Sequence, residues 1–182
     1  MNDTFFKSGA TLSECRKYRY ALWRIWDTDK DNIMFIGLNP SIADETKDDP
    51  TTRRCVQFAK DWGYGGVYLV NLFAYRTKSP SDLWVAPFPI SEPKDPSVND
   101  NWLKGTAEHC TKIVFSWGND GDLNQRYIEV QKMFPESFCF GLTMSGQPKH
   151  PLYISGDTPL LPFSVNFSYI KLLDDTNGKG RK

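Results

Sequence analysis

The chain has 182 residues, and its 22 Lys and Arg residues balance 22 Asp and Glu residues, so the formal net charge is zero. Hydrophobic residues make up 40% of the chain and charged residues 24%. This composition is typical of a single globular domain and excludes a disordered, collagen-like or coiled-coil chain as the main state. It also argues against nucleic-acid binding by bulk charge alone, although a local basic patch is compatible with it.

The first half of the chain predicts an N-terminal strand and then two buried strands with a helix between them. Each strand is a short apolar run, and Asp49 followed by Pro50 is typical of a helix N-cap and first helical position. The apolar residues Cys55, Phe58, Ala59 and Trp62 recur at helical spacing on one face. The predicted elements are an N-terminal strand over 18–26, a strand over 33–36 ending at Gly37, a helix from Asp49 to Gly63 and a strand over 67–70 that closes on Asn71.

The second half continues the alternation of helix and strand. It predicts a helix over 98–108, a strand over 113–115, a helix through Leu123, Tyr127 and Val130, and a fourth core strand over 137–142. This order predicts an α/β fold with three α/β/α layers and an open, mostly parallel central sheet. We expect a single domain over residues 1–173, a proline-rich connection over 87–96 and a flexible polar tail over 174–182.

Cysteine and histidine usage does not favour a metal centre. The four cysteines include no Cys-x-x-Cys pair, and only two histidines are present, His109 and His150. We therefore expect neither a metal nor another cofactor. No apolar run approaches the length of about 18 residues that a membrane span needs, so we expect no membrane partner. The number and spacing of the cysteines favour a cytoplasmic protein with reduced thiols. The alternative is a secreted protein with paired disulfides.

Small polar side chains follow each of the four core strands. Asn39 follows the first, Asn71 closes the second, Asn119 follows the third and His150 lies in the loop after the fourth. Ligands of such sheets bind outside the carboxyl ends of the strands, so we expect one shared pocket there. Each residue also has a simpler explanation: an Asn-Pro turn at Asn39, an amide that satisfies neighbouring backbone at Asn71, and a surface position at His150.

The segment from Asp44 to Arg54 combines carboxylates with arginines at the start of the predicted helix. Asp48 and Asp49 can hold a water molecule or a ligand hydroxyl, and Arg53 and Arg54 can contact phosphate. The alternative for any one of them is a solvated helix N-terminus. Arg76 and Lys149 belong to further local basic clusters that can contact a nucleic-acid backbone.

The order of these motifs resembles the uracil-DNA glycosylase superfamily. The similar segments are the Gly37-Leu38-Asn39-Pro40 motif after the first core strand, the strand that ends at Asn71, the apolar strand that runs into Trp117-Gly118, and the loop that contains His150-Pro151. The match covers roughly residues 33–155. More closely, the chain resembles an uncharacterised bacterial and phage family, domain-of-unknown-function family 1643. The marks of that family present here are GLNPS, DDPTTRRC, WGYGG, NLFAYR and GQPKHPLY.

The resemblance to the glycosylases implies that a nucleotide is flipped out of DNA and loses its base as an anion. In that mechanism Asn39 positions the attacking water, Asn71 reads the edge of the base and His150 donates a hydrogen bond to a base carbonyl. Ser41 and Asn119 are the further expected base-binding residues. The arginines and the lysine that we expect to contact the DNA backbone are Arg53, Arg54, Arg76 and Lys149.

Two departures from the superfamily pattern affect the expected chemistry. Several members have Asp at the position of Asn39, and an amide cannot act as a general base. A carboxylate among Asp44, Glu45, Asp48 and Asp49 can supply that role, and we place Asp48 and Asp49 among the expected catalytic residues. The segment after Pro40 is acidic rather than aromatic, which favours a modified base over plain uracil, and modified phage DNA is one source of such a base.

Two other functions are compatible with the same residues. One is a non-catalytic module that binds a nucleotide or DNA, and the other is a hydrolase of free nucleosides. Formation of abasic sites distinguishes an enzyme from a binding module, and a steep dependence of binding on salt distinguishes DNA from free nucleosides. We expect the protein to act as a monomer.

Overall fold

The computed structural model describes residues 6–163, which form a mixed α/β structure around one seven-stranded sheet. The strands are β1 (Lys7–Leu12), β2 (Arg19–Ile25), β3 (Asn32–Gly37), β4 (Gly66–Asn71), β5 (Lys112–Phe115), β6 (Phe138–Cys139) and β7 (Leu161–Pro162). The α-helices are α1 (Pro50–Asp61), α2 (Ser81–Val85), α3 (Val98–Ala107) and α4 (Arg126–Met133), and 3₁₀ segments cover Asn119–Gln125 and Pro151–Tyr153.

The sheet is parallel in its centre and antiparallel at its edges. The strand order is β1-β2-β4-β3-β5-β6-β7. In the central run β4-β3-β5-β6, each strand is parallel to its neighbour. The outer pairs are antiparallel, namely β1 with β2, β2 with β4, and β6 with β7. The prediction of a mostly parallel sheet is therefore correct only for the four central strands. Because a short connection joins β1 to β2, these neighbours can pair only in antiparallel fashion.

Hydrophobic cores lie on both faces of the sheet. Successive side chains of a strand point to opposite faces, and accordingly Ile33 and Phe35 join one buried cluster while Met34 and Ile36 join another. Helix α1 packs into the first cluster and helices α3 and α4 into the second. Helices therefore pack against each of the two clusters, around the one sheet of this mixed α/β fold.

Helix α1 begins and ends as its sequence predicts. The Asp49 side chain caps the helix by accepting a hydrogen bond from the Thr52 amide at 2.8 Å, and Pro50 occupies the first helical position. Gly63, directly after the C-cap residue Trp62, has a φ of 82°. A left-handed residue at this point is the common end of an α-helix. The capped N-terminus of α1 is held close to the carboxyl ends of the central strands.

Several elements differ from the sequence-based expectation. Strands β1 and β7 and the short helix α2 are additional, and the fourth core strand is paired only over Phe138–Cys139. Leu123 lies in a 3₁₀ segment rather than in α4, because Asn124 and Gln125 adopt positive φ angles and interrupt the helix. The predicted tail, 174–182, lies outside the described residues. Between residues 6 and 163, the helices are too short or too polar to cross a membrane.

Candidate functional site

A cavity of about 610 Å³ opens at the carboxyl ends of β3, β4 and β5. Its volume falls within the range of small-molecule sites in proteins, about 300–1,000 Å³. Asn39, Asn71, Asn119 and His150 all line it. The structure thus brings the polar residues that follow four successive strands to one cavity, at the edge of the sheet where the sequence places a shared pocket.

The residues expected at the site divide into two groups. Those that line the cavity are Asn39, Ser41, Asp49, Asn71, Asn119, Lys149 and His150. Those that lie outside its wall are Asp48, Arg53, Arg54 and Arg76. The expected base-binding residues are therefore together, whereas most of the expected phosphate contacts are elsewhere on the molecule.

Asn39 is fixed by its own amide group. Its Nδ2 atom donates hydrogen bonds to the carbonyl oxygens of Pro40 at 3.0 Å and Thr77 at 2.9 Å. Both amide hydrogens are thereby used, so Oδ1 is the atom with which this side chain can bind a ligand or water. The site can use Asn39 as a hydrogen-bond acceptor that orients a water molecule, but not as a proton acceptor.

The side-chain amide of Asn71 is buried, and its N–H donor is not paired with an acceptor in the described part of the chain. The residue is only 5% exposed, and its Nδ2 atom has no hydrogen-bond partner within the described part of the chain. An unpaired buried donor costs about 1–3 kcal/mol, and native proteins rarely leave one without a reason. A ligand in the cavity that offers an acceptor atom to Asn71 removes this cost.

The backbone at Asn71 is held by two helices. Asn99 of α3 donates to the carbonyl oxygens of Asn71 and Leu72, both at 3.1 Å. Arg126, at the start of α4, donates from Nε to the Leu72 carbonyl at 3.2 Å and also pairs with Asp100. These bonds fix the end of β4 and hence the position from which the Asn71 side chain projects.

His150 presents one definite ring nitrogen to a ligand. Its Nδ1 atom accepts a hydrogen bond from the Leu152 amide at 3.3 Å, so the proton of the neutral ring resides on Nε2. Burial lowers the pKa of His150 below its ordinary value, and the nearby Asp49 carboxylate only partly opposes that shift. At neutral pH the residue is therefore a neutral imidazole that carries its N–H donor on Nε2.

The turn after β5 holds the histidine loop in place. The Gly118 amide donates to the Pro148 carbonyl at 2.9 Å, and the Trp117 indole donates to Oε1 of Gln147 at 2.7 Å. Gly118 has a φ of 77°, a conformation that a glycine adopts without strain. The Trp-Gly turn and the His-Pro loop, distant in sequence, thus form one side of the cavity.

Among the four candidate carboxylates, only Asp49 lines the cavity. Asp48 pairs with the buried Arg24 at 2.7 Å, so the expectation that Asp48 acts at the site is not supported by its placement. Asp44 accepts hydrogen bonds from the amides of Thr46 and Lys47. The fourth carboxylate, Glu45, forms an exposed ion pair with Arg16 at 2.9 Å.

The three expected phosphate-binding arginines are engaged in intramolecular contacts. Arg54 donates to the Ile154 carbonyl at 2.5 Å and lies over the Phe58 ring. Arg53 donates to the Asp48 carbonyl, and Arg76 donates to the Arg16 carbonyl. These contacts explain why a basic cluster in the sequence does not form a free basic surface at the cavity.

Three charged residues of the cavity wall have no specific role in the sequence-based prediction. They are Arg19, Asp120 and Lys78. Asp120 follows the third core strand together with Asn119, and Lys78 belongs to the same basic cluster as Arg76, so the sequence indicates their positions but not their roles. Arg19 lies in an aromatic and basic segment whose alternation is irregular, and nothing in its sequence neighbours indicates that it reaches the cavity.

The remaining expected residues have simpler surroundings. Asn119 accepts a hydrogen bond from the Ser145 hydroxyl at 2.8 Å, and Ser41 lines the cavity next to the Asn-Pro turn.

Over residues 6–163, no group of three or more His, Cys, Asp or Glu side chains is arranged to hold a metal ion. All four cysteines are free thiols.

Comparison with known proteins gives one match. The sequence model of a family described as "protein of unknown function (DUF1643)" matches residues 19–152. No curated protein and no solved structure matches the chain significantly. The matched segment contains the lining residues from Arg19 to His150, whereas Tyr153 and Ile154 of the cavity wall lie just beyond it.

Proposed function

The chain belongs to the DUF1643 family, and for this member we propose the activity of a DNA glycosylase: hydrolysis of the N-glycosidic bond of a flipped nucleotide. We also propose that its layers of helices on both faces of the sheet correspond to the arrangement of the uracil-DNA glycosylase superfamily. The observation that carries the proposal is the unpaired, buried Nδ2 of Asn71 in the same cavity as the Nε2–H donor of His150.

Base recognition follows from these two donors. The carboxamide of Asn71 combines a donor and an acceptor, which match an acceptor and a donor on the edge of a pyrimidine. The carbonyl oxygen of the base can then accept a hydrogen bond from Nε2–H of His150. Burial of the Asn71 amide strengthens such bonds because the local dielectric constant is low.

The chemical step breaks the bond between C1′ of the sugar and the ring nitrogen of the base. The base leaves with the bonding electron pair, and the negative charge that develops on its carbonyl is stabilised by His150. One preorganised donor of this kind typically lowers the activation free energy by about 2.7–4 kcal/mol. A neutral imidazole suffices for this role, which agrees with the lowered pKa of His150.

Water completes the reaction at C1′. Asn39 accepts a hydrogen bond from the attacking water through Oδ1, and the carboxylate of Asp49 accepts the proton that the water loses as its oxygen bonds to C1′. Oδ1 of Asp49 already accepts the Thr52 amide, which leaves Oδ2 to act as the base. Asp49 thereby replaces the carboxylate that Asn39 cannot provide.

Exposed apolar side chains beside His150 support DNA as the substrate. Leu152 and Tyr153 lie two and three residues after His150 and are 42% and 86% exposed. Apolar and aromatic side chains at the rim of a pocket can fill the space that a flipped base leaves in the stack. Lys78 and Lys149 in the cavity wall can contact the phosphates of the flipped nucleotide.

The same cavity favours a modified base over plain uracil. Its wall is rich in polar groups, with Asp49, Asp120, Arg19 and Lys149 in addition to the carboxamides. A plain uracil ring does not offer partners for so many groups. We therefore propose a base with a polar substituent, of the kind found in the modified DNA of phages, as the substrate in a defence role.

The test is incubation of the protein with DNA duplexes and single strands that each contain one modified pyrimidine, followed by alkaline cleavage at any abasic site. We expect cleavage at the modified position and little cleavage at uracil. Asn71→Leu should abolish it and His150→Phe, which has no N–H donor, should reduce it by about 100- to 1,000-fold, while Lys132→Gln, at an exposed position of α4, should not. Binding of the DNA without abasic sites, across the set of bases, would indicate a binding module instead.

A further inference from the structure

Arg19 introduces a buried positive charge into the cavity wall. The residue is 4% exposed and lines the cavity. Its Nη1 atom donates to the Ala43 carbonyl at 2.9 Å, whereas its buried Nε atom has no hydrogen-bond partner within residues 6–163. Hydrogen bonds of a guanidinium are stronger than those of neutral groups, so an unmade one is costly.

A β-bulge accounts for the placement of Arg19. In the pairing of β1 with β2, Thr11 lies opposite Ala21 but Leu12 lies opposite Arg19, so Tyr20 has no counterpart. An extra residue of this kind bends the strand and changes the direction of neighbouring side chains, and such bulges are frequent next to active sites. The bulge thus takes Arg19 out of the regular alternation of β2.

Two unpaired donors therefore belong to one part of the wall. Arg19 Nε is on β2 and Asn71 Nδ2 is on β4, and these two strands are hydrogen-bonded neighbours in the sheet. Burial lowers the pKa of Arg19 to about 10, with Asp49 opposing the shift, so the guanidinium is still charged at neutral pH. A ligand with two acceptor atoms, one on the ring and one on a substituent, can satisfy both donors.

We propose that Arg19 is a specificity-determining residue that selects a pyrimidine with an oxygen atom on a substituent outside the ring, such as a hydroxymethyl, formyl or carboxyl group. This inference rests on the proposed function, in which the base enters the cavity. Asn71 reads the edge of the ring, and Arg19 donates from Nε to the oxygen of the substituent. A purely hydrocarbon substituent leaves that donor unpaired.

The test compares two DNA duplexes that differ only in the substituent at C5 of one uracil, a hydroxymethyl group or an ethyl group of the same size. A fluorine at C2′ of the target sugar disfavours positive charge at C1′ and keeps the base attached during the measurement. From the strength of a hydrogen bond to a charged group, we expect the wild-type protein to bind the hydroxymethyl duplex about 10- to 100-fold more tightly.

Variants assign that preference to Arg19. In Arg19→Met, and in Arg19→Lys, which keeps the charge but has no Nε–H in that position, the affinity ratio should fall to about threefold or less because the bond is lost. Lys132→Met, at an exposed position of α4, should keep the wild-type ratio. Circular dichroism checks that each variant is folded.

Equal affinity of the wild-type protein for the two duplexes overturns the inference without any variant, and so does a ratio that is unchanged in a folded Arg19 variant. Either result concerns the substituent alone, because the proposed function is tested separately by release of the base from a duplex without the fluorine. Failure to bind both duplexes at low salt overturns the proposed function and the inference together.

Discussion

Oδ1 of Asn71 lies 3.0 Å from the position that a Cβ atom on Gly37 would occupy. The two residues end β3 and β4 and lie directly opposite each other in the parallel pair. A side chain at position 37 would therefore press on the carboxamide that we propose reads the base. The requirement for glycine here is one of close approach, because the φ of Gly37 is not positive.

Replacing Gly37 with Ala should displace the Asn71 side chain and weaken binding of the target DNA by about tenfold or more, the effect expected from losing a single good hydrogen bond. The matched control is Gly105→Ala in α3, where an added Cβ meets nothing within 4 Å. That change should stabilise the protein by up to about 1 kcal/mol through helix propensity. Equilibrium binding and denaturant unfolding measure both; equal binding by the two variants contradicts the role of Asn71.

Asp49→Asn should reduce the rate of base release by about a hundredfold or more, since an amide cannot take the proton of the attacking water. Asparagine also caps helices well, so α1 should stay formed. Single-turnover rates per folded protein measure the effect. A wild-type rate in this variant would show that the base is elsewhere.

Asp48→Asn provides the complementary case. It replaces the carboxylate partner of the buried Arg24 with a neutral amide and should lower the free energy of unfolding by about 1–3 kcal/mol, because the hydrogen bond of the guanidinium loses its charged acceptor. The rate of base release by the folded variant should stay near that of wild type. A stable but inactive Asp48→Asn protein would reverse our assignment of the two neighbouring aspartates.

The pKa of His150 should lie below its ordinary value of about 6.5. Proton NMR of the two histidines gives the value directly, with His109→Gln to assign the signals. A depressed pKa means that the folded state binds fewer protons than the unfolded state. The stability that depends on His150 is thus complete above pH 6.5 and decreases as the pH falls through the folded-state pKa.

The rate of base release should also depend on the protonation state of His150. It should be insensitive to pH above about 6.5 as far as His150 is concerned, because the neutral ring already carries the Nε2–H donor. A raised pKa of His150 in the free protein would contradict the description of the ring as neutral. In His150→Gln, the part of the pH-dependent loss of stability that belongs to this residue should disappear.

Asn99→Ala should lower the free energy of unfolding by about 1–3 kcal/mol, since two buried carbonyls at the end of β4 lose a donor. Asn101→Ala on the same helix removes only an exposed contact with Ser97 and should change stability by no more than about 0.5 kcal/mol. Chemical denaturation of both variants tests this difference. Comparable losses in the two variants would show that Asn99 does not fix this strand end.

The sequence predicts the centre of the fold because local signals and tertiary packing agree there. The apolar runs of β3, β4 and β5 and the cap of α1 at Asp49 are all found where their patterns indicate. The edges are harder, because β1 and β7 have little apolar patterning and depend on pairing with a neighbour.

The site divides in a similar way. Residues that directly follow core strands, such as Asn39 and Asn71, are predictable because topology places them at one edge of the sheet. The sequence does not show which of the neighbours Asp48 and Asp49 faces the cavity, because adjacent side chains point in different directions. Arg19 depends on a bulge, and the inward contacts of Arg54 depend on a partner 100 residues away, so neither was accessible from local pattern.

The central claim is that the cavity holds an extruded base and releases it whole. Mass spectrometry of the products from a modified DNA strand tests this most directly, since it detects both the free base and the strand that has lost it. We predict one intact free base for each abasic site, and neither product with Asn71→Leu. Tight binding of the target strand with no release of base by the wild-type protein would contradict the account.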